Sequence, residues 1–175
     1  MKRKIYISFL VVCVIFFVTF LYFELIMFPM KYSESVETIS KKYNLEPTLV
    51  YAVIKTESDF QKDAKSSAGA LGLMQILPST ARWIAEEKNE SFVNEDLFDE
   101  KRNIEYGCFY LRYLFDKFES IDVVVCAYNA GETKVRDWLL DGELVEEKID
   151  YAETKNYLKK VRRNYRVYKN KELFR

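Results

Sequence analysis

The chain has 175 residues, and its 27 lysines and arginines balance its 27 aspartates and glutamates. This neutral balance argues against a module that wraps nucleic acid, so no nucleic-acid partner is expected. The sequence contains no histidine, which excludes histidine-based nucleophile activation and histidine-bound metals. Acid–base chemistry must therefore come from carboxylates, lysine or tyrosine, and we expect neither a metal nor another cofactor.

The N-terminal segment differs in composition from the rest of the chain. The run from Ile5 to Phe23 contains only Ser8 and Thr19 as polar residues. As a helix it would span roughly 28 Å, close to the hydrocarbon core of about 30 Å. Basic residues at positions 2–4 precede the run, so the positive-inside rule places the N-terminus in the cytoplasm. We therefore predict that residues 1–30 are a cytoplasmic stub and a transmembrane signal-anchor helix.

A cleaved signal peptide is the alternative interpretation of this segment. The apolar run is longer than the core of a typical signal peptide, about 7–15 residues, and no small-residue cleavage site follows it. These features favour an uncleaved, single-pass anchor in the cell membrane. Residues 31–175 are then one extracytoplasmic domain, long enough to bury a core.

The two cysteines beyond the anchor, Cys108 and Cys126, leave two alternatives open. An external compartment permits a disulfide bond between them. Both cysteines, however, lie in apolar patterns of helical spacing, where a free cysteine is an ordinary small core residue.

Apolar residues beyond the anchor recur with helical spacing almost throughout, and no long run alternates with the period of a strand. Pro47 and Pro78 are well placed as first residues of helices. The domain is therefore predicted to be all-α. The predicted helical segments are Val36–Tyr43, Pro47–Ile54, Pro78–Ile84, Ile104–Phe115, Val123–Tyr128, Val135–Leu140 and about Glu153–Tyr168.

One residue breaks the apolar pattern of the second predicted helix. The stripe formed by Val50, Val53 and Ile54 continues, one turn later, to Glu57. A carboxyl group turned toward a core has a raised pKa, which suits a general acid. The alternative is that the helix ends near Lys55 and leaves Glu57 in solvent.

Four sequence blocks occur in a characteristic order along the domain. They are the Glu-Ser pair at 57–58, Gly-Leu-Met-Gln at 72–75, Ala-Tyr-Asn-Ala-Gly at 127–131 and Glu-Thr-Lys-Asn-Tyr-Leu at 153–158. Together they resemble the lytic transglycosylase domain of the Slt type, a lysozyme-like fold that acts on peptidoglycan. The resemblance covers about Val36 to Tyr168. The chain departs from the family pattern at Asp150 and Tyr151, which leaves its substrate preference open.

The resemblance implies that Glu57 protonates the oxygen between N-acetylmuramic acid and N-acetylglucosamine in peptidoglycan glycan strands. The same group then deprotonates the muramic acid 6-hydroxyl, which yields a 1,6-anhydro sugar without consuming water. Two alternatives stay open: a muramidase that hydrolyses the same bond, and a non-catalytic peptidoglycan-binding protein.

The resemblance also implies which residues contact the substrate. Alternatives exist for several of them: Ser58 as a helix-end residue, Met74 as core, Asn129 as part of a helix cap and Glu153 as a first-turn carboxylate. The expected substrate-binding residues are Ser58, Gln75, Met74, Tyr128, Asn129, Glu153 and Tyr157.

Overall fold

The computed structural model describes residues 2–140, 142 and 146–173, except for the side chains of residues 2, 3, 24, 25 and 146. The chain divides into two units, Met1–Lys31 and Tyr32–Arg175. The first contains helix α1 (Lys2–Tyr22), which passes into a π-helical turn (Phe23–Met27). The stretch Lys4–Tyr22 has a mean hydropathy of 2.6 and no buried residues, so its length and composition suffice to cross a membrane.

The second unit is all-α, as the sequence predicts, and its described residues include no strand. Isolated antiparallel bridges join Leu71 to Lys65 and to Ile76. Short 3₁₀ turns occur at Asn94–Phe98 and Glu146–Lys148. The helices are α2 (Ser33–Lys42), α3 (Pro47–Glu57), α4 (Pro78–Lys88), α5 (Glu100–Phe115), α6 (Ile121–Ala130), α7 (Glu132–Leu139) and α8 (Ala152–Glu172).

Helix α3 is the centre of this unit. Every side chain from Thr48 to Ile54 is buried, which matches a helix that is apolar on nearly all sides. Its main neighbour is α8, where the Tyr168 ring stacks on Tyr51 with centroids 5.4 Å apart. Helix α3 continues to Glu57, past the alternative end near Lys55, and α8 extends beyond its predicted end at Tyr168.

An ion-pair network joins the helices on one side of the unit. Lys42 of α2 and Lys88 of α4 each approach Glu105 of α5 to 2.6 Å. Burial alone would raise the pKa of Glu105, but hydrogen bonds from the two ammonium groups outweigh it and hold that pKa at about 2. The carboxylate therefore stays ionised and ties three helices together.

The loop between α3 and α4 is organised by Asn103 of α5. Its Nδ2 donates to the carbonyl oxygens of Leu71 and Leu97, both at 2.9 Å, and its Oδ1 accepts from the Met74 amide at 2.7 Å. Gly72 makes this approach possible: its φ is +77°, and a Cβ atom there would lie 2.1 Å from the Leu97 carbonyl oxygen. One buried amide thus fixes the Gly-Leu-Met-Gln block.

Cys108 and Cys126 are both buried and free, so the disulfide alternative is not realised. Burial raises the pKa of both thiols, that of Cys126 to about 12. They are protonated core side chains.

Candidate active site

Glu57 is the last residue of α3 and is half-buried. Its Oε1 accepts a hydrogen bond of 2.7 Å from the Tyr157 hydroxyl of α8. Burial raises the pKa of Glu57 to about 7, the Tyr157 hydrogen bond opposes this rise, and the negative charge of Glu153 adds to it. The carboxyl group can therefore hold or release a proton near neutral pH.

Hydrogen bonds fix the last turn of α3, which carries Glu57. Thr56 donates to the Ala52 carbonyl oxygen at 2.7 Å and accepts from Asn164 of α8 at 3.0 Å. The buried Ser58 side chain donates back to the Ile54 carbonyl oxygen at 3.2 Å. Ser58 thus closes the helix end beside Glu57.

Tyr128, near the end of α6, connects this turn to the Gly-Leu-Met-Gln block. Its hydroxyl donates to the Met74 carbonyl oxygen at 2.8 Å. Burial, and next the nearby Glu57 charge, raise the pKa of Tyr128 well above its usual range, so the phenol stays neutral. The Met74 side chain is fully buried and packs where a Cβ atom on Gly107 would clash, so its side chain belongs to the core.

Gln75 follows Met74 with a left-handed φ of +49° and is half-buried. Its Nε2 donates to the carbonyl oxygens of Gly72 at 2.8 Å and Ala64 at 3.2 Å. The amide nitrogen therefore stabilises the loop in which it lies.

Asn129 and Glu153 lie where the end of α6 meets the start of α8. The Thr154 hydroxyl donates to Asn129 Oδ1 at 2.8 Å, which fixes the orientation of the Asn129 amide. Glu153 is exposed in the first turn of α8 and close enough to Glu57 to raise its pKa. Thr154, for which the sequence predicts no role, is a buried polar residue of the Glu-Thr-Lys-Asn-Tyr-Leu block.

The structure thus brings the sequence-predicted residues together in two groups. In the first group, Tyr157 bonds to the Glu57 carboxyl group, the Glu153 charge acts on it, and Ser58 follows it in the chain. In the second, Tyr128 bonds to the loop that carries Met74 and Gln75. Within the described ranges, no group of three or more metal-binding carboxylate or thiol side chains occurs.

A small helical domain with a half-buried glutamic acid at the end of its central helix has the architecture of lysozyme-like proteins. The chain belongs to the transglycosylase SLT domain family, whose profile matches residues 34–149.

Named relatives and a solved structure support this membership. The soluble lytic murein transglycosylase of Escherichia coli K12 is 31% identical over 77% of this chain and 22% of its own length. A membrane-bound lytic murein transglycosylase C of Histophilus somni is 31% identical over 81% of this chain and 48% of its own length. The crystal structure of an inactive Glu-to-Gln variant of Pseudomonas aeruginosa Slt superposes with a TM-score of 0.77 at 30% identity, covering 82% of this chain and 25% of that one.

The chain spans about a quarter of the length of the first curated relatives it matches, 26% and 22% in two of them. The matched region contains the transglycosylase SLT domain.

Proposed function

We propose that the chain is a lytic transglycosylase that cleaves the β-1,4 bond between N-acetylmuramic acid and N-acetylglucosamine in peptidoglycan. The observation that carries this proposal is Glu57: a half-buried carboxyl group on the SLT fold, with a pKa raised to about 7 and a tyrosine hydroxyl on one oxygen. The lytic murein transglycosylase names of the relatives support the reaction class.

The reaction requires one group to donate a proton first and to accept a proton afterwards. Protonated Glu57 donates to the glycosidic oxygen, and the bond from the muramic acid anomeric carbon to that oxygen breaks. The resulting Glu57 carboxylate takes the proton of the muramic acid 6-hydroxyl, whose oxygen bonds to the same carbon. The product is a 1,6-anhydro end, and Glu57 returns to its protonated state. A pKa near 7 serves both halves at neutral pH, because a substantial fraction of Glu57 is protonated and can act as the acid, while the carboxylate formed is still basic enough to accept the 6-hydroxyl proton as the new C–O bond forms.

The remaining site residues have supporting roles in this proposal. Tyr157 positions the Glu57 carboxyl group, and Asn129, oriented by Thr154, presents its amide NH₂ to the sugar. Ser58, Gln75 and Tyr128 shape the surrounding backbone. Because the Met74 side chain is buried, it contributes through its carbonyl oxygen and its packing.

Glu153 supports a second candidate, hydrolysis by a muramidase. Two carboxyl groups at a glycosidic bond commonly divide the roles of acid and base, and Glu153 is near enough to Glu57 to affect its pKa. Glu153 would then activate water, and the products would have reducing muramic acid ends.

Product analysis distinguishes the two reactions. The detergent-solubilised full chain is incubated with purified peptidoglycan, and the soluble products are identified by mass spectrometry. Anhydro products, lighter by one water, support the transglycosylase, and reducing ends support the muramidase. Glu57→Gln is expected to lower the rate by at least about 100-fold, because general acid–base catalysis contributes about 10²–10⁴-fold. An unchanged rate would show that Glu57 is not the acid.

The proposal includes a single-pass membrane anchor, with residues 31–175 outside the cytoplasm. The apolar helix Lys4–Tyr22 and the membrane-bound relative support it. Lys160 is exposed on α8, so a Lys160→Cys variant tests it with a membrane-impermeant thiol reagent. Labelling in intact spheroplasts supports the orientation, whereas labelling only after lysis contradicts it. N-terminal sequencing of the mature chain tests the cleaved signal peptide.

A further inference from the structure

Helix α8 carries a row of basic residues that the proposed reaction does not use. At about 1.5 Å per residue, the row extends for roughly 21 Å along the helix. Its members follow one another at intervals of four and three residues, so they lie on one face of α8. The two acidic residues of α8 lie in its first turn and at its last position. We call it the basic row, and its members are Lys155, Lys159, Arg162, Arg166 and Lys169.

A cavity of about 580 Å³ borders the basic row, between the start of α6 and the middle of α8. Its apolar lining comes from Ile121, Val125 and Val161, of which Ile121 is exposed. The basic row therefore has an apolar surface at its side. The basic residues that line the cavity all belong to the basic row: Arg162, Arg166 and Lys169.

Ion pairs hold two of these cations in place beside the cavity. Arg162 donates from Nε at 2.9 Å and from Nη2 at 2.6 Å to the two carboxylate oxygens of Asp122. The Lys169 ammonium lies 2.8 Å from Glu46 Oε2. Arg166 is exposed, and no carboxylate pairs with it among the side chains that the structure describes. Its guanidinium is therefore available to an external anion.

The chemistry of this surface favours an anionic phospholipid over other anions. A guanidinium group binds phosphate through paired N–H donors. The apolar side chains next to it favour a molecule that also carries hydrocarbon. A fully polar polyanion satisfies the first condition and not the second.

In the proposed topology, the domain stays close to the membrane. The π-helical turn after α1 ends at Met27, and α2 begins at Ser33. The intervening chain spans roughly 20 Å when fully extended. Lipid headgroups are therefore present at high local concentration around the domain.

We propose that the basic row and its cavity form a docking surface for anionic phospholipids of the membrane in which α1 is anchored. The basic side chains contact lipid phosphates, and the apolar side chains of the cavity contact the hydrocarbon next to the headgroups. This inference rests on the membrane anchor of the proposed function and not on the cleavage reaction. It predicts that lipid charge determines whether this face of α8 lies against the bilayer.

The test measures how close α8 lies to lipid headgroups, with the full chain in lipid nanodiscs. An environment-sensitive fluorophore is attached to an Asn170→Cys variant, at an exposed position one turn beyond Arg166. Cys13 is replaced by serine, whereas Cys108 and Cys126 are buried and are retained. Quenching by a lipid with a spin-labelled headgroup is compared between phosphatidylcholine discs and discs that also contain phosphatidylglycerol. Quenching is expected to be at least about twofold stronger in the anionic discs, because anionic lipids attract basic side chains.

Neutralising part of the basic row tests whether this face is responsible. Arg166→Gln combined with Lys169→Gln is expected to abolish the increase. Lys160→Gln combined with Lys171→Gln removes the same charge from the other side of α8 and is the matched control, which should retain the increase. A label on Ser67→Cys, at an exposed position in the loop between α3 and α4, should show no such increase.

Equal quenching at position 170 in the two kinds of disc would overturn the docking surface and leave the anchor intact. An increase that survives Arg166→Gln with Lys169→Gln would also overturn it, as would an equal increase at Ser67→Cys. A chain that does not incorporate into the discs would contradict the anchor, and this inference with it. Because no glycan is cleaved in this measurement, its result does not depend on whether Glu57 is the acid.

Soluble polyanions distinguish a lipid surface from other anionic partners. The labelled chain in phosphatidylcholine discs is titrated, at near-physiological salt, with polyglycerol phosphate and separately with polyglutamate. Unchanged fluorescence with both supports the lipid surface. A saturable change with polyglycerol phosphate would overturn it in favour of a phosphate polymer, and one with polyglutamate in favour of an acidic protein segment.

Discussion

The pKa of Glu57, the candidate acid, is set by opposing effects of its surroundings. Burial disfavours the charged form of Glu57, and the Glu153 charge acts in the same direction. The Tyr157 hydroxyl stabilises the charged form, which keeps the pKa at about 7 instead of higher. Each pKa unit corresponds to about 1.4 kcal/mol between the two protonation states, so one hydrogen bond has a measurable effect on the pH range of activity.

Tyr157→Phe removes that hydrogen bond while retaining the buried ring. Because the bond favours the carboxylate, its loss should raise the Glu57 pKa above about 7. The first step needs protonated Glu57, so the alkaline limb of the rate profile should move to higher pH. Rates are measured across pH with the wild type and the variant.

Tyr165→Phe is the matched control for this change. The Tyr165 hydroxyl donates to Glu46, a carboxylate elsewhere on the domain. Its profile should follow that of the wild type. An alkaline limb of Tyr157→Phe that stays in place or moves to lower pH would contradict the proposed positioning role of Tyr157.

The raised pKa also predicts how stability depends on pH. Between about pH 4.5 and 7, the folded state keeps a proton on Glu57 that the unfolded state releases. The contribution of this proton to the free energy of unfolding is therefore complete below about pH 4.5 and is lost as the pH rises through 7. Glu57→Gln removes this loss. At pH 8 the variant should therefore be more stable than the wild type by about 3 kcal/mol, with no such advantage near pH 4.

Urea unfolding of both chains at each pH measures this difference. Glu119→Gln, a change at an exposed carboxyl group, serves as control and should parallel the wild type. A Glu57→Gln advantage that is the same at both pH values would show that the Glu57 pKa is not raised by folding.

At the scale of structural elements, the loop between α3 and α4 depends on a side chain from α5. Asn103 uses both ends of its amide and is almost fully buried. Removing it leaves the Met74 amide and the Leu71 and Leu97 carbonyl groups without this partner. The conformation of the loop therefore depends in part on a side chain that is distant in sequence.

Asn103→Ala is expected to lower the free energy of unfolding by about 2–4 kcal/mol, because several buried polar groups lose a partner. Activity should fall as well, since Met74 and Gln75 lose their fixed positions. Denaturant unfolding and the cleavage rate are the measurements. Asn156→Ala, an exposed asparagine on α8, is the control. A loss of less than about 1 kcal/mol in Asn103→Ala would show that the loop holds its conformation independently.

Helices could be predicted from the sequence because their signals are local. Pro47 and Pro78 each occupy the first turn of a helix, and the apolar spacing located α2 to α8. The break in that spacing also drew attention to Glu57. Contacts between residues that are distant in sequence have no such local signal. The Tyr157 hydroxyl, for example, bonds to the carboxyl group of a residue 100 positions away.

The same limit explains the site roles that the sequence left open. Met74 and Gln75 are consecutive residues, and the sequence of their block is compatible both with a tight turn and with residues that contact the substrate. Only the packing against Gly107 places the Met74 side chain in the core. Thr154 could not be recognised as the partner of Asn129 because their contact joins the ends of two helices.

On the scale of the whole molecule, the proposal combines an apolar helix with a domain that acts outside the cytoplasm. In this proposal the basic residues at positions 2–4 direct the orientation, as the positive-inside rule predicts. Replacing all three with glutamate should lower the fraction of molecules whose domain is outside. That fraction is measured by impermeant labelling of Lys160→Cys in spheroplasts. Replacing Lys169 and Lys171 with glutamate is the control, because these residues are distant from the apolar run along the sequence, and it should leave the fraction unchanged.

The fate of solvent oxygen tests the central claim most directly. Peptidoglycan is digested by the full chain in water enriched in a heavy oxygen isotope, and the new muramic acid ends are analysed by mass spectrometry. If Glu57 regains its proton from the 6-hydroxyl, the ends are anhydro sugars without the heavy isotope, and Glu57→Gln produces almost none. Heavy oxygen at the new ends would contradict this account, because it would show that water attacks the anomeric carbon.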